Sequence, residues 1–202
     1  MPDRDEKTRR EMWDERHAAR APVESQEPDA ALVALASTLV PGRALDLAAG
    51  DGRHAIWLAS HGWDATGLDF SGVALDRARA AAARANVRVA WVHADLLEWE
   101  PVPASEDLVA VMFLHLPLAE RRTVLAKAAA ALAPGGRLLV VGHDRINAGR
   151  DVPGPKDEAV LYSPDEVAAD LHGLVVEQAR RQDHQLDDGR VSTDTVVVAR
   201  LP

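Results

Sequence analysis

Residues 44–55 read Ala-Leu-Asp-Leu-Ala-Ala-Gly-Asp-Gly-Arg-His-Ala. A short apolar run is followed by an acidic, glycine-broken turn and then by the start of a helix. Gly50 and Gly52 lack a Cβ, so the chain can turn sharply there and come close to a ligand. The helix that starts near Gly52 offers free N–H groups and a positive dipole end, both suited to an anion. Arg53 stands in its first turn, where a cation opposes the dipole, and this implies an anion nearby. About twenty residues on, Gly67-Leu68-Asp69-Phe70 closes a second apolar run. Asp69 at its tip can accept hydrogen bonds from both hydroxyls of a ribose. Together these features describe a pocket for an adenosine-bearing cofactor.

The same alternation continues outward from this unit. Apolar runs over 45–48, 65–68, 87–92, 108–113 and 137–141 read as strands. Between them lie helices over 52–61, from Ser71 to about Ala85, and from Pro117 to near Leu132. A proline-containing loop spans 98–106, and Pro134-Gly135-Gly136 reads as a turn. Short strands joined by helices predict an α/β fold: a Rossmann-like, doubly wound, mostly parallel sheet in three α/β/α layers. Late in the chain Ser163-Pro164-Asp165-Glu166 combines a cap, a first-turn proline and a capping box. Strands starting near 174–176 and at 195–199, with Asp187-Asp188-Gly189 between them, add an antiparallel hairpin and make seven strands.

The whole of 1–202 reads as one domain. Residues 1–42 form a helical cap, 43–142 the cofactor-binding core, 143–160 a lid loop without periodicity, and 161–202 a helix and hairpin. Residues 3–20 are dense in charge and read as a solvated helix, in which Trp13 needs a surface to cover. Residues 28–40 place Leu32, Leu35, Ala36 and Leu39 on one helical face, stopped by Pro41-Gly42.

Composition narrows the function. There are no cysteines, which removes disulfides and thiolate chemistry. The net charge of −9, without a clustered cationic run, argues against a nucleic-acid partner. No apolar stretch suits a membrane helix, and a charged start is not a secretory signal. The expectation is a cytoplasmic protein with a small-molecule partner and no membrane. No histidine–carboxylate set has metal-ligand spacing, and Ser71 lacks the partners of a hydrolase nucleophile.

Gly50-Asp51-Gly52-Arg53-His54-Ala55 also fits a dinucleotide fingerprint, so a nicotinamide-dependent oxidoreductase stands as one alternative. Asp46 and Asp51 weigh against it, because they put carboxylates where a pyrophosphate would lie. A non-catalytic module that binds the adenosine cofactor is the other alternative.

Asp46-Leu47-Ala48-Ala49-Gly50-Asp51-Gly52 resembles the acidic-x-Gly-x-Gly-x-Gly motif of class I S-adenosylmethionine-dependent methyltransferases, with Ala48 in place of the first glycine. Leu68-Asp69-Phe70-Ser71 is similar to their ribose motif, His93-Ala94-Asp95-Leu96 to their adenine segment, and Leu132–Leu138 to the turn before their fifth strand. Trp13-Asp14-Glu15-Arg16, residues 52–59 and Leu161-Tyr162-Ser163 are similar to the tellurite-resistance and thiopurine methyltransferase-like branch. Those are small enzymes acting on small molecules or chalcogen oxyanions, whose amino-terminal segment covers the cofactor.

The resemblance implies S-adenosyl-L-methionine as cofactor, and roles follow residue by residue. Trp13 and Arg16 would cover it. Asp46, Ala48, Gly50 and Gly52 would shape the loop, Asp46 reaching the ammonium. Arg53 would take the methionine carboxylate. Asp69 and Phe70 would hold the ribose, Asp95 the adenine amino group, and Leu96 the ring face. His115, after the fourth strand, and His143, after the fifth, are the candidate catalytic residues, with Asp144 as a further substrate contact. Arg145 and Arg150 could bind an oxyanion. Trp57 and Trp63 read as packing residues.

Overall fold

The computed structural model describes residues 8–19 and 27–202. The charged run Asp3–Lys7 lies outside the described residues. Helix α1 (Arg9–Ala18) opens on a capping box between Thr8 and Glu11, as this helical sequence demands at its start. Helix α2 (Ala30–Ala36) is capped by Asp29, which accepts from the Ala31 amide at 2.8 Å. It ends before the expected residue 40, at a Ser37 cap, and the Thr38 hydroxyl folds back onto the Leu35 carbonyl.

From there strands and helices alternate as the pattern requires: β1 (Arg43–Leu47), α3 (Arg53–Ser60), β2 (Asp64–Asp69), α4 (Gly72–Arg84), β3 (Ala90–His93), β4 (Glu106–Met112), α5 (Leu118–Ala131) and β5 (Leu132–His143). Helix α6 (Pro164–Asp170), β6 (Val175–Gln185) and β7 (Val191–Arg200) complete the chain. The seven strands form one sheet in the order β3-β2-β1-β4-β5-β7-β6. The first five are parallel, and β7 runs antiparallel to both β5 and β6.

The central strand explains the layering. Along β4, Leu108, Ala110 and Met112 face one core with Leu32 of α2, Leu58 of α3 and Trp63. Val109 and Val111 face the other, with Val124 and Leu125 of α5 and Val167 of α6. A strand covered on both faces needs this unbroken apolar run. After β1 the chain turns one way to β2, and β4 lies on the other side. The tips of β1 and β4 therefore bound the crevice in which open α/β sheets bind ligands.

Three further elements depart from their expected bounds. Strand β3 is short, at Ala90–His93 rather than 87–92. Pro134-Gly135-Gly136 lies within β5 as a bulge: Glu106 pairs with Leu132, and then Leu108 with Arg137. The hairpin is longer than its β-branched tip suggests, because β6 is an exposed edge strand whose charges guard that edge. Among the described residues, no helix is long and apolar enough to cross a membrane.

Candidate functional site

The strand tips open into a cavity of about 1070 Å³. Drug-sized pockets span roughly 300–1,000 Å³, so this one has room for a nucleoside cofactor with a second molecule beside it. Trp13, Arg16, Ala48, Gly50, Arg53, Asp69, Phe70, Asp95, Leu96, His115 and His143 all line it. Two expected residues, Asp46 and Gly52, stand behind its wall.

Asp69 organises the cofactor side. Its Oδ2 accepts from the Gly50 amide and its Oδ1 from the Ser71 amide, each at 2.8 Å. One carboxylate thus ties the turn after β1 to the start of α4. Burial pushes it above the usual carboxylate range, against the pull of those two amides. Each oxygen keeps a lone pair for a ligand hydroxyl.

The two glycines do different work. Gly50 has a left-handed φ of 54°, and a Cβ there would meet only the His17 ring, at 3.6 Å. Gly52 has φ 83°, and a Cβ there would strike the Trp91 ring at 2.4 Å. Its missing side chain makes room for the half-buried Trp91 ring rather than for a ligand. Ala48 also adopts a left-handed φ, 59°. A small side chain is therefore not all this position asks for: alanine holds there a conformation that costs about 1–2 kcal/mol.

Asp46 lies wholly buried under the loop, and neither oxygen has a hydrogen-bond partner among the described residues. Burial pushes its carboxyl up to about 7, while the nearby Ala55 amide, outside hydrogen-bonding geometry, and Arg53 limit the rise. The buried His54 imidazole stands 3.9 Å away. Burial and then the charge of Arg53 depress it to about 3. Asp46 supports the turn from beneath and does not reach the cavity.

Helix α1 roofs this side through polar anchors. His17 Nδ1 lies 2.8 Å from Asp51, which also accepts from Arg77 at 3.2 Å. Burial raises the Asp51 carboxyl, but these two partners outweigh it and hold it below the usual range. Asp14 accepts from the Ser71 hydroxyl, and Arg9 pairs with Glu120 on α5 at 2.6 Å. Arg16 lies 4.9 Å over the Trp13 ring. Farther along, Asp95 Oδ1 accepts from the Leu97 amide, which leaves Oδ2 beside the buried Leu96.

The opposite side is built from side chains at the tips of β4, β5 and β7. Phe113 sits at φ 55°, an outlier for a bulky residue, and the Arg53 guanidinium lies 5.5 Å over its ring. His115 has both ring nitrogens committed to backbone: Nδ1 donates to the Val160 carbonyl at 3.2 Å, and Nε2 accepts from the His143 amide at 3.3 Å. Burial, above all, depresses it to about 4. His143 Nδ1 instead lies 3.0 Å from Asp194 of β7.

The 143–160 segment is a wall of the cavity. Asn147 is buried and pairs both ways with the Thr193 backbone, at 2.7 and 3.1 Å. Asp144 is fully buried between Arg181 and Thr195, so it contacts the hairpin and not the cavity. Pro153, Gly154, Pro155 and Val160 complete the lining. Arg145 is engaged by Glu166 and two carbonyls, and the exposed Arg150 does not line the cavity. Trp63 is core and Trp57 packs against that core.

Sequence reasoning does not single out Asp194, His17 or Phe113 as site residues. The signal for Asp194 is a lone acid inside a β-branched strand. For His17 it is the spacing of four from Trp13.

The residues present fit S-adenosylmethionine. Asp69 offers acceptors for a ribose, Gly50 an uncovered backbone turn, Arg53 a cation, and Asp95 with Leu96 an acceptor beside an apolar face. The family model described as a methyltransferase domain matches residues 44–136. The chain is 30% identical over 114 residues to the ribosomal RNA small subunit methyltransferase C of Alcanivorax borkumensis, covering 52% of this chain and 34% of that protein. It spans half or less of the length of the curated relatives it matches. Among solved structures it is similar to TehB from Haemophilus influenzae, with a TM-score of 0.74 and 17% identity over 89% of this chain and 64% of that one. It is equally similar to the N-methyltransferase NodS from Bradyrhizobium japonicum in complex with S-adenosyl-l-homocysteine, with a TM-score of 0.73 and 19% identity over 95% and 97% of the two chains. Residues 44–136 thus match the methyltransferase domain, within a chain that folds throughout as methyltransferases do.

Proposed function

We propose that the protein is an S-adenosylmethionine-dependent methyltransferase acting on a small molecule. The observation that carries this reading is Asp69 at the tip of β2, held by the Gly50 and Ser71 amides beside the switch point, in a chain whose residues 44–136 match the methyltransferase domain. Asp69 binds the ribose, Asp95 and Leu96 bind the adenine, and Gly50 with Arg53 binds the amino-acid tail. Trp13 and Arg16 exclude water from above. When bound, the cofactor supplies an electrophilic methyl group on a sulfonium that departs as a neutral thioether. The protein's own work is then alignment and desolvation of the acceptor, between Phe113, His143 and the wall at 153–160.

A roofed cavity and a net charge of −9 favour a small acceptor over nucleic acid. The ribosomal RNA relative matches only part of its own length. The resemblance around Trp13–Arg16 and Tyr162 supports the tellurite-resistance-like branch, so chalcogen oxyanions and thiols belong among the trial acceptors. A screen for S-adenosylhomocysteine release over oxyanions, thiols, phenols and amines tests the reading. Release with a small acceptor is expected. Cofactor binding with no release across the panel would favour a sensing module instead.

A further inference from the structure

Two histidines face the acceptor side of the cavity, their rings stacked 5.3 Å apart and nearly parallel. They differ in what they have left to offer. His115 gives one nitrogen to the Val160 carbonyl and the other to the His143 amide, so it has no lone pair for a substrate. His143 spends only Nδ1, on Asp194 Oδ1 at 3.0 Å. An ionised carboxylate accepts only, so Nδ1 carries the hydrogen and Nε2 keeps its lone pair. Asp194 is itself 4% exposed, with its other oxygen 3.0 Å from His184 Nε2. Gly154, at φ 117°, passes so close that a Cβ there would lie 2.5 Å from His143 Cδ2. The ring is therefore held from behind by the carboxylate and from the side by the loop, and the residue lines the cavity.

We propose that Asp194 positions His143 as the general base of the reaction, and that the acceptor is an apolar-bodied hydroxyl compound of the phenol type. This rests on the methyltransferase reading. Soft anions such as thiolates or chalcogen oxyanions arrive with an available electron pair and need no base. A hydroxyl does need one. The acceptor O–H bond breaks and an Nε2–H bond forms. The electron pair left on oxygen is the nucleophile, and the imidazolium then returns its proton to bulk water. Asp194 compensates the imidazolium charge and fixes the tautomer. Phe113, Leu114, Leu116, Pro153 and Val160 give the acceptor an apolar slot, and the Arg53 cation over Phe113 disfavours a protonated amine.

The test begins on the wild-type protein without cofactor, so its result does not depend on cofactor binding. Long-range 1H–15N correlation of the histidine rings should show His143 with hydrogen on Nδ1 and a bare Nε2. Asp194→Ala should lose that preference. Diethyl pyrocarbonate should modify His143 and spare His115, as mapped by peptide mass spectrometry. A His143 with hydrogen on Nε2, or one as inert as His115, overturns the dyad. The acceptor class is tested with 2-naphthol and 2-naphthalenethiol in the S-adenosylhomocysteine release assay. Release with the naphthol, lowered at least tenfold in Asp194→Ala, is expected. Release with the thiol alone, or with neither, overturns the hydroxyl assignment. Calorimetric binding of S-adenosylhomocysteine in the same preparation separates that outcome from failure of the methyltransferase reading.

Discussion

The two sides of the cavity are built from different material. Around the tips of β1 and β2 backbone has a large share: a left-handed turn leading into α3, tied by one carboxylate to the start of α4, with Arg53 and the side chains of α1 around them. Around the tips of β4, β5 and β7 the working groups are side chains: Phe113, His115, His143 and Asp194. A backbone-built site takes whatever shares a common scaffold, such as a nucleoside. A side-chain-built site can be changed residue by residue and so selects the acceptor. In that sense the first half is the generic one and the second the particular one.

The largest effect should come from beneath the generic half. The folded protein raises Asp46 to about 7, so the fold favours its protonated form. The stability this gives is full below the unfolded value, near 4, and is lost as pH rises through 7. An asparagine side chain does not titrate. Asp46→Asn should therefore gain on the wild type by about 4 kcal/mol between pH 4 and pH 8, as read by urea melts at both ends. A constant difference across that range would show that the buried acid has a partner.

Next comes the carboxylate that joins the generic half. Asp69→Ala leaves the Gly50 and Ser71 amides without their acceptor and removes the proposed ribose contact. It should cost about 3 kcal/mol of cofactor affinity, roughly a hundredfold or more, with a lowered Tm. Calorimetry and a thermal melt check both. An unchanged affinity would move the nucleoside elsewhere and dissolve the contrast between the sides.

The smallest effects form a matched pair. Gly154→Ala, on the particular side, puts a Cβ into the His143 ring at a left-handed φ and should cost about 2 kcal/mol. Ala48→Gly, on the generic side, relieves a left-handed alanine and should gain about 0.5 kcal/mol once the extra freedom of the unfolded glycine is counted. Melts of the two variants should shift in opposite directions. Equal shifts would mean that neither turn is strained as described.

The same contrast explains what is legible in the amino-acid order alone. The turn at 48–53 and Asp69 are local: consecutive residues dictate φ angles, cap and strand tip, so the motif carries its own geometry. The doubly wound, mostly parallel sheet follows from the alternation of apolar runs with helices, while its strand order is set by tertiary pairing. Asp194 escapes notice because its partner lies 51 residues away, at the end of another strand. No local pattern marks such a pair. Gly52 reads as facing a ligand, but the tryptophan beneath it comes from β3, a strand that sequence alone places only loosely. His115 and His143 look equivalent in sequence, because only tertiary contacts show that both nitrogens of His115 are already committed. Strand β6 is visible only at its start, since its charged residues carry no core-facing alternation.

One titration tests the central claim most directly: calorimetry of the wild-type chain with S-adenosylhomocysteine and, separately, with NADH. Saturable binding of the first at one site per chain, with no heat from the second, is the expected result. Binding of NADH with none of S-adenosylhomocysteine would contradict it.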